Sequence, residues 1–190
     1  MGEERELKYL ARSAEPPALP AAWSVGAPQG PVEILDTYLD HAAALITRGW
    51  ALRRRETAGA PTRYTLKRNA RRNGAYLVRD ELELESEEIP VEIIREIGTQ
   101  LASELHQIAQ MQQRRRSWPV QREGRLVAHL TTDEIRSGGT AWCEMEVEFV
   151  GSLSDQAAEE FARELEAHFR SNDTLTPSRR SKFEAAIAAL

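Results

Sequence analysis

The chain is poor in the features that would place it outside a reducing compartment or inside a bilayer. It holds a single cysteine, Cys143, in 190 residues, so an internal disulfide is excluded and the cytoplasm is the expected location. No apolar run reaches the length of a transmembrane helix, and no membrane partner is expected. The opening MGEERELKYL lacks the basic-then-apolar leader of a secreted chain. A basic excess is also missing: 25 Lys and Arg stand against 30 Asp and Glu, a net charge of −5, which argues against a stable nucleic-acid partner. The four histidines, His41, His106, His129 and His168, are scattered without zinc-ligand spacing. There is no internal repeat and no low-complexity linker, so the length predicts one domain, residues 1–190.

What the chain does have is alternation. Period-two patterning predicts strands over 3–10, 32–38, 50–56, 62–68, 75–85, 105–121, 124–133 and 141–150. Eight such segments predict a mainly β, α+β protein: an eight-stranded antiparallel β-barrel tunnel with flanking helices, because closure removes exposed edges. Helices are predicted over 37–48, stopped by Gly49, and from Pro90 to about Ala102 with Val91, Ile94, Ile97 and Leu101 on one stripe. A third runs from Ser154 or Asp155 to about Arg170, carrying Ala157, Phe161, Leu165 and Phe169 on one face. A last one follows Pro177 and Ser178 and carries Phe183, Ile187 and Leu190. Residues 13–31, with five prolines, read as irregular connection.

The charges fall inside the strands. Glu4, Glu6 and Lys8 share one face of the first strand, with Leu7 on the other. Alone, that pattern suits a solvated face. The same parity groups Arg53 with Arg55, Arg63 with Thr65 and Lys67, and Arg79 with Glu81, Glu83 and Glu85. It also groups Arg114 with Arg116, and Glu144 with Glu146 and Glu148, leaving Cys143, Met145, Val147 and Phe149 opposite. If the apolar faces pack outward against amphipathic helices, the charged faces converge inside the sheet. Such an interior is costly unless hydrated or answered by ligands. Clustered glutamates offer hard oxygen ligands for Mg²⁺ or Mn²⁺, and fixed arginines and lysines match phosphate oxygens. A triphosphate needs both.

In this ordered set the chain resembles the CYTH superfamily of triphosphate tunnel metalloenzymes. The resemblance rests on E-x-E-x-K at Glu4, Glu6 and Lys8, LDT at Leu35, Asp36 and Thr37, L-R-x-R at Leu52, Arg53 and Arg55, and TLK ending at Lys67. R-x-E-x-E at Arg79, Glu81 and Glu83, the basic strand to Arg116, and E-x-E-x-E at Glu144, Glu146 and Glu148 complete it. It implies a tunnel binding a triphosphate along its axis with divalent metal. Glu4, Glu6, Glu146 and Glu148 are then implied as metal ligands or their neighbours, with Glu81 or Glu83 adding a carboxylate and Glu144 in the same run. Lys8, Arg53, Arg55, Lys67, Arg79, Arg114 and Arg116 are implied as the phosphate cradle. TPSRRSKFEAAI resembles the family's closing segment, with Ser181 and Lys182 opening a helix across the tunnel, although the spacing suits an exposed lysine at a helix start equally well. Glu4, Glu6, Lys8 and Lys182 are the candidate catalytic residues. Asp133 is a further acidic candidate whose register the sequence leaves open.

The expected activity is metal-dependent hydrolysis of inorganic triphosphate, with thiamine or nucleoside triphosphates as other substrates and a monomer or homodimer as the state. A class IV-type adenylyl cyclase and a noncatalytic polyphosphate-binding module are the alternatives. Cys143 reads as a buried structural thiol. Trp118 and Trp142, near a tunnel mouth, read as packing residues rather than stacking platforms.

Overall fold

Ten strands and four α-helices make up the structure, a computed structural model that describes residues 2–73, 76–178 and 180–189. The strands are β1 (Gly2–Ala11), β2 (Trp23–Val25), β3 (Gln29–Asp40), β4 (Ala51–Thr57), β5 (Arg63–Asn73), β6 (Tyr76–Glu85), β7 (His106–Arg122), β8 (Arg125–Ser137), β9 (Thr140–Phe149) and β10 (Leu175–Pro177). The helices are α1 (Val91–Ile97), α2 (Thr99–Glu104), α3 (Asp155–Phe169) and α4 (Lys182–Ala188). Two antiparallel meanders, β3-β4-β5-β6 and β7-β8-β9, meet edge to edge where β3 pairs with β7. On the other side β1 lies between β6 and β9, bonded to both, and closes a ring of eight strands. The predicted antiparallel barrel is therefore present. Two short strands extend it, β10 on β1 and β2 on β7.

The apolar layer lies outside the ring, as the amphipathic strands require. Leu7, Tyr9, Val78, Leu130, Met145, Val147 and Phe149 form one outer core with Ala158, Ala162, Leu165 and Phe169 of α3. Leu52, Tyr64 and Leu66 form another with Leu45, Ile93 and Ile97, the last two from α1. Ser154 caps α3 by accepting a hydrogen bond from the Ala157 N–H, the predicted start. A third cluster is inside: Tyr38, Ala109, Met111 and Ile135 receive Phe183 and Ala186, so α4 fills one end of the bore. Trp142 packs against this cluster, and Trp118 belongs to the outer core.

Two local expectations are corrected. Residues 37–40 are the end of β3, not a helix, and only Ile46–Arg48 forms a short 3₁₀ turn before Gly49. The cause is Asp40: its buried carboxylate accepts hydrogen bonds from the N–H groups of His41, Leu45 and Ile46. With Ala42 and Ala43 at φ 48° and 59°, these bonds hold a turn where periodicity suggested a helix. The second helix breaks at Gly98 (φ 94°, ψ 140°) into α1 and α2. Its buried stripe uses Ile93, while Val91 is exposed. The final helix opens at Lys182, with Ser181 and Glu184 forming a reciprocal capping box; Leu190 lies outside the described residues.

Leu165 is fully buried between α3 and the outer face of the barrel. Leu165→Ala should lower the unfolding free energy by about 2–5 kcal/mol, read by urea denaturation. The exposed Glu160→Ala on the same helix should stay within about 0.5 kcal/mol of the parent.

Candidate functional site

Because successive residues on a strand face opposite ways, each apolar contact outside fixes a polar neighbour inside. Leu7 in the outer core places Glu6 and Lys8 in the bore, and Val147 does the same for Glu146 and Glu148. A cavity of about 400 Å³ runs through this interior. Of the residues singled out from sequence, Glu4, Glu6, Lys8, Arg53, Arg55, Lys67, Arg79, Glu81, Glu83, Glu146, Glu148 and Lys182 line it. Glu144 is not among the described lining residues; it is buried, with its carboxylate on Lys8 Nζ at 2.8 Å and on Trp142 Nε1 at 3.0 Å.

Arg114 and Arg116 are the exceptions. They point outward, Arg114 to Glu33 and Glu134 and Arg116 to Glu15. The residue between them, Arg115, enters the cavity. Trp118 and Val120 explain this parity. Both belong to the outer core, so the even positions of β7 face out and the odd ones in. The three-arginine run offered a basic residue on either parity, but the apolar pair a few residues on indicated which was outside.

The bore divides into three charge groups. On one wall Asp36, fully buried, accepts from Arg55 Nε and Nη2 at 2.7 Å each and from Gln113 Nε2. Arg53 Nη1 lies 3.6 Å from the same carboxylate, while its Nη2 donates to Thr65 Oγ1 at 3.0 Å and approaches Glu83 at 3.6 Å. Burial alone would raise the Asp36 pKa, but Arg53 and Arg55 hold it well below the ordinary carboxylate range. Sequence reasoning quoted Asp36 in a motif and gave it no role.

Against the plugged end stands a nearly neutral group. Lys182 Nζ, buried, lies 2.7 Å from Glu146 and 3.0 Å from Asp133. Arg115 donates to both oxygens of Asp133 at 2.8 and 2.7 Å. Burial opposes ionisation of Glu146, yet Lys182, Lys8 and Arg115 hold it well below the usual range. The structure thus takes Asp133 into the interior, and Lys182 out of solvent.

The third group is rich in carboxylates. Lys67 Nζ donates to Glu4 at 2.8 and 3.0 Å and lies 2.5 Å from Glu81. Arg79 Nη1 is 3.6 Å from Glu6. Glu6 Oε1 is buried and accepts no hydrogen bond among the described residues. Burial, then Glu4 and Glu146, push the Glu6 pKa up to about 7; burial, then Glu4, do the same to Glu148. Two carboxyls are thus short of positive charge. Among the described residues no three acidic, histidine or cysteine side chains already stand as a metal cage. Even so, unsatisfied hard oxygen donors in a cluster that resists ionisation fit a divalent cation of the Mg²⁺ or Mn²⁺ kind.

Asp36 carries the arginine wall, and Asp36→Asn should lower folding stability by about 3–5 kcal/mol at pH 7, the usual cost of breaking a buried pair. Its folded pKa lies below the unfolded value, so the ionised carboxylate stabilises the fold above about pH 4 and that contribution fades as pH falls. Urea denaturation across pH should show the gap between parent and variant full at neutrality and closing in acid.

No family model matches this sequence, and no curated protein does either. Solved structures do match along the whole chain. A candidate adenylyl cyclase from Hippeastrum, described as having a dominant triphosphatase activity, is 19% identical with a TM-score of 0.65, over 98% of this chain and 95% of its own. A protein from Pyrococcus horikoshii OT3 is 20% identical at 0.65, over 98% and 99%. A candidate adenylate cyclase from Bacillus halodurans is 18% identical at 0.60, over 97% and 98%. The eight-stranded closure, the inward charge and these likenesses agree: the chain has the fold of the CYTH-type triphosphate tunnel proteins.

Proposed function

We propose that this protein is a divalent-metal-dependent triphosphatase acting on inorganic triphosphate, with thiamine and nucleoside triphosphates as the organic substrates of the same class. The carrying observation is the division of one cavity between an under-neutralised carboxylate cluster around Glu6 and Glu148 and two walls that present Arg53 and Arg55, and Lys8, Arg115 and Lys182, each beside buried counter-ions. A cation-loaded polyanion answers both halves at once. The triphosphatase activity named for the Hippeastrum neighbour supports the class.

In this reading Glu4, Glu6 and Glu148, with Glu81 beside them, would hold the metal. When bound, such an ion offsets charge on the phosphate oxygens and lowers the pKa of water. The chain's own cations do the positioning. Arg53 and Arg55, clamped by Asp36, and Arg63 on the next strand grip oxygens along one wall; Lys8, Arg115 and Lys182 hold the other. Gripped along its length, the substrate presents its terminal phosphorus to an in-line water. The water oxygen bonds to that phosphorus as the bond to the bridging oxygen breaks; one proton stays on the orthophosphate formed and the other goes to the departing pyrophosphate.

A second reading has one observation in its favour. Trp50 lines the cavity, with the guanidinium groups of Arg48 and Arg68 5.7 Å from its ring. With one guanidinium moved aside, an aromatic there would give a base a surface to stack on, one way of holding ATP for cyclisation. A panel assay separates the two: phosphate release from inorganic triphosphate should lead in Mg²⁺ or Mn²⁺ and stop with chelator. Cyclic AMP and pyrophosphate from ATP, with inorganic triphosphate left intact, would replace hydrolysis by cyclisation.

Glu6→Gln should abolish turnover without loss of fold. The Glu6 pKa lies above its unfolded value of 4.5, so ionising it costs stability as pH rises from about 4.5 through 7. The amide avoids that cost. The variant should therefore be at least as stable as the parent at pH 8 in denaturant titrations while inactive; full activity in a folded variant would remove Glu6 from the site. Arg53→Ala should weaken triphosphate binding about ten- to a hundredfold, since charge-assisted contacts are worth about 1.5–3 kcal/mol. Monophosphate binding should change far less. Calorimetry with a nonhydrolysable triphosphate measures the difference, and equal small losses for both ligands would deny Arg53 a cradle role.

A further inference from the structure

Lys67, a cradle candidate in the sequence, is held differently from Arg53 and Arg55. Arg53 and Arg55 are held by Asp36 on the arginine wall, and of the two Arg53 also approaches Glu83 at 3.6 Å. Lys67 Nζ sits within the carboxylate cluster, on both oxygens of Glu4 and against Glu81 at 2.5 Å. It is thus the ammonium that occupies carboxylates a divalent cation would need. Two residues from Glu4 on the same strand, Glu6 Oε1 is buried and accepts no hydrogen bond among the described residues. The cluster therefore offers a divalent cation more than Lys67 neutralises.

We propose that Lys67 is an exchangeable internal counter-cation: it holds Glu4 and Glu81 while the cluster lacks a metal, and turns to phosphate oxygens when those carboxylates are taken over. This rests on the metal-dependent reading above and deepens it. Lysine suits the task better than arginine. Its compact ammonium on a flexible stem can change partners by side-chain rotation, whereas a planar guanidinium would be locked by bidentate pairing. Lys67 sits on the strand between the Arg53 wall and the Glu81 wall, where β5 pairs with β4 through Ala51 and with β6 through Glu81. A short swing therefore stays inside the cavity it already lines. The consequence is ordering. Without metal the lysine is spent on the carboxylates and adds little to the grip on phosphate. With metal it is released, so the site favours triphosphate that arrives with, or after, its cation. By linkage the preference is reciprocal.

The test reads metal binding with no substrate present, so it does not depend on which triphosphate is hydrolysed or whether any is. In Lys67→Met the competing ammonium is gone, and Mg²⁺ alone, titrated by calorimetry, should bind at least about tenfold more tightly than to the parent. A folded variant whose Mg²⁺ affinity is unchanged or weaker overturns the proposal. The second measurement needs no variant: the ¹⁵Nζ signal of Lys67 in the intact protein should shift as Mg²⁺ is added. A signal that stays in place while Mg²⁺ binds shows that the ammonium keeps its carboxylates, and overturns the proposal too. Failure of the triphosphatase assay with both of these results positive would count against the substrate and leave the exchange standing.

Discussion

A charge inside a closed sheet is tolerable only opposite its counter-charge, and every strand of this ring contributes one. Asp36 comes from β3, Arg53 and Arg55 from β4, Lys67 from β5, Arg79 and Glu81 from β6, Arg115 from β7, Asp133 from β8, Glu146 and Glu148 from β9, and Glu4, Glu6 and Lys8 from β1. The pairs run across strand boundaries, Lys67 to Glu81, Arg79 to Glu6, Lys8 to Glu146, Arg115 to Asp133 and Arg55 to Asp36. Neighbouring strands are thus fastened by side chains as well as by backbone bonds. Where this matching runs short, at Glu6 and Glu148, the interior has capacity left for an external cation. For the paired residues, stability rests on this matching of charge, and removing one partner disturbs the wall beside it.

Much of this was legible in the order of residues because strand alternation has a short, strict period. Once Leu7 and Val147 were assigned to an outer layer, their neighbours Glu6 and Glu146 had to lie within. The reading failed where more than one parity or period was satisfied. Arg114, Arg115 and Arg116 supply a cation on either face, and only Trp118 and Val120 decide between them. Residues 37–48 contain a helical spacing of apolar positions, but the hydrogen bonds of Asp40 to three turn amides depend on a folded chain and leave no periodic trace. Asp36 was visible as a motif letter without a role, and Asp133 as an acidic candidate without a register. Each owes its place to a partner on another strand, and cross-strand register is not written in local pattern.

The outer layer explains why the fold persists in neighbours that share only 18–20% of their residues with this chain. Packing α3 and α1 against the barrel demands apolar bulk at alternate positions, a requirement many combinations of Leu, Val, Ile, Phe and Met meet. The inner layer is held on strands rather than loops, so the geometry of its side chains follows from backbone register and tolerates change elsewhere.

The position of β1 has a consequence for the order in which the molecule can be made. It is the first strand in the chain, yet it lies between β6 and β9, with Glu6 opposite Glu148 and Glu4 opposite Arg79. During vectorial synthesis both meanders can be complete while β1 still lacks its second neighbour, and the ring shuts only after the last of its strands has left the ribosome. Closing it is a contact between distant parts of the chain, the slow kind. The glutamates from the two ends meet in that same event. In a polypeptide that stops before β9, Glu148 is therefore missing from beside Glu6, and the cluster is incomplete.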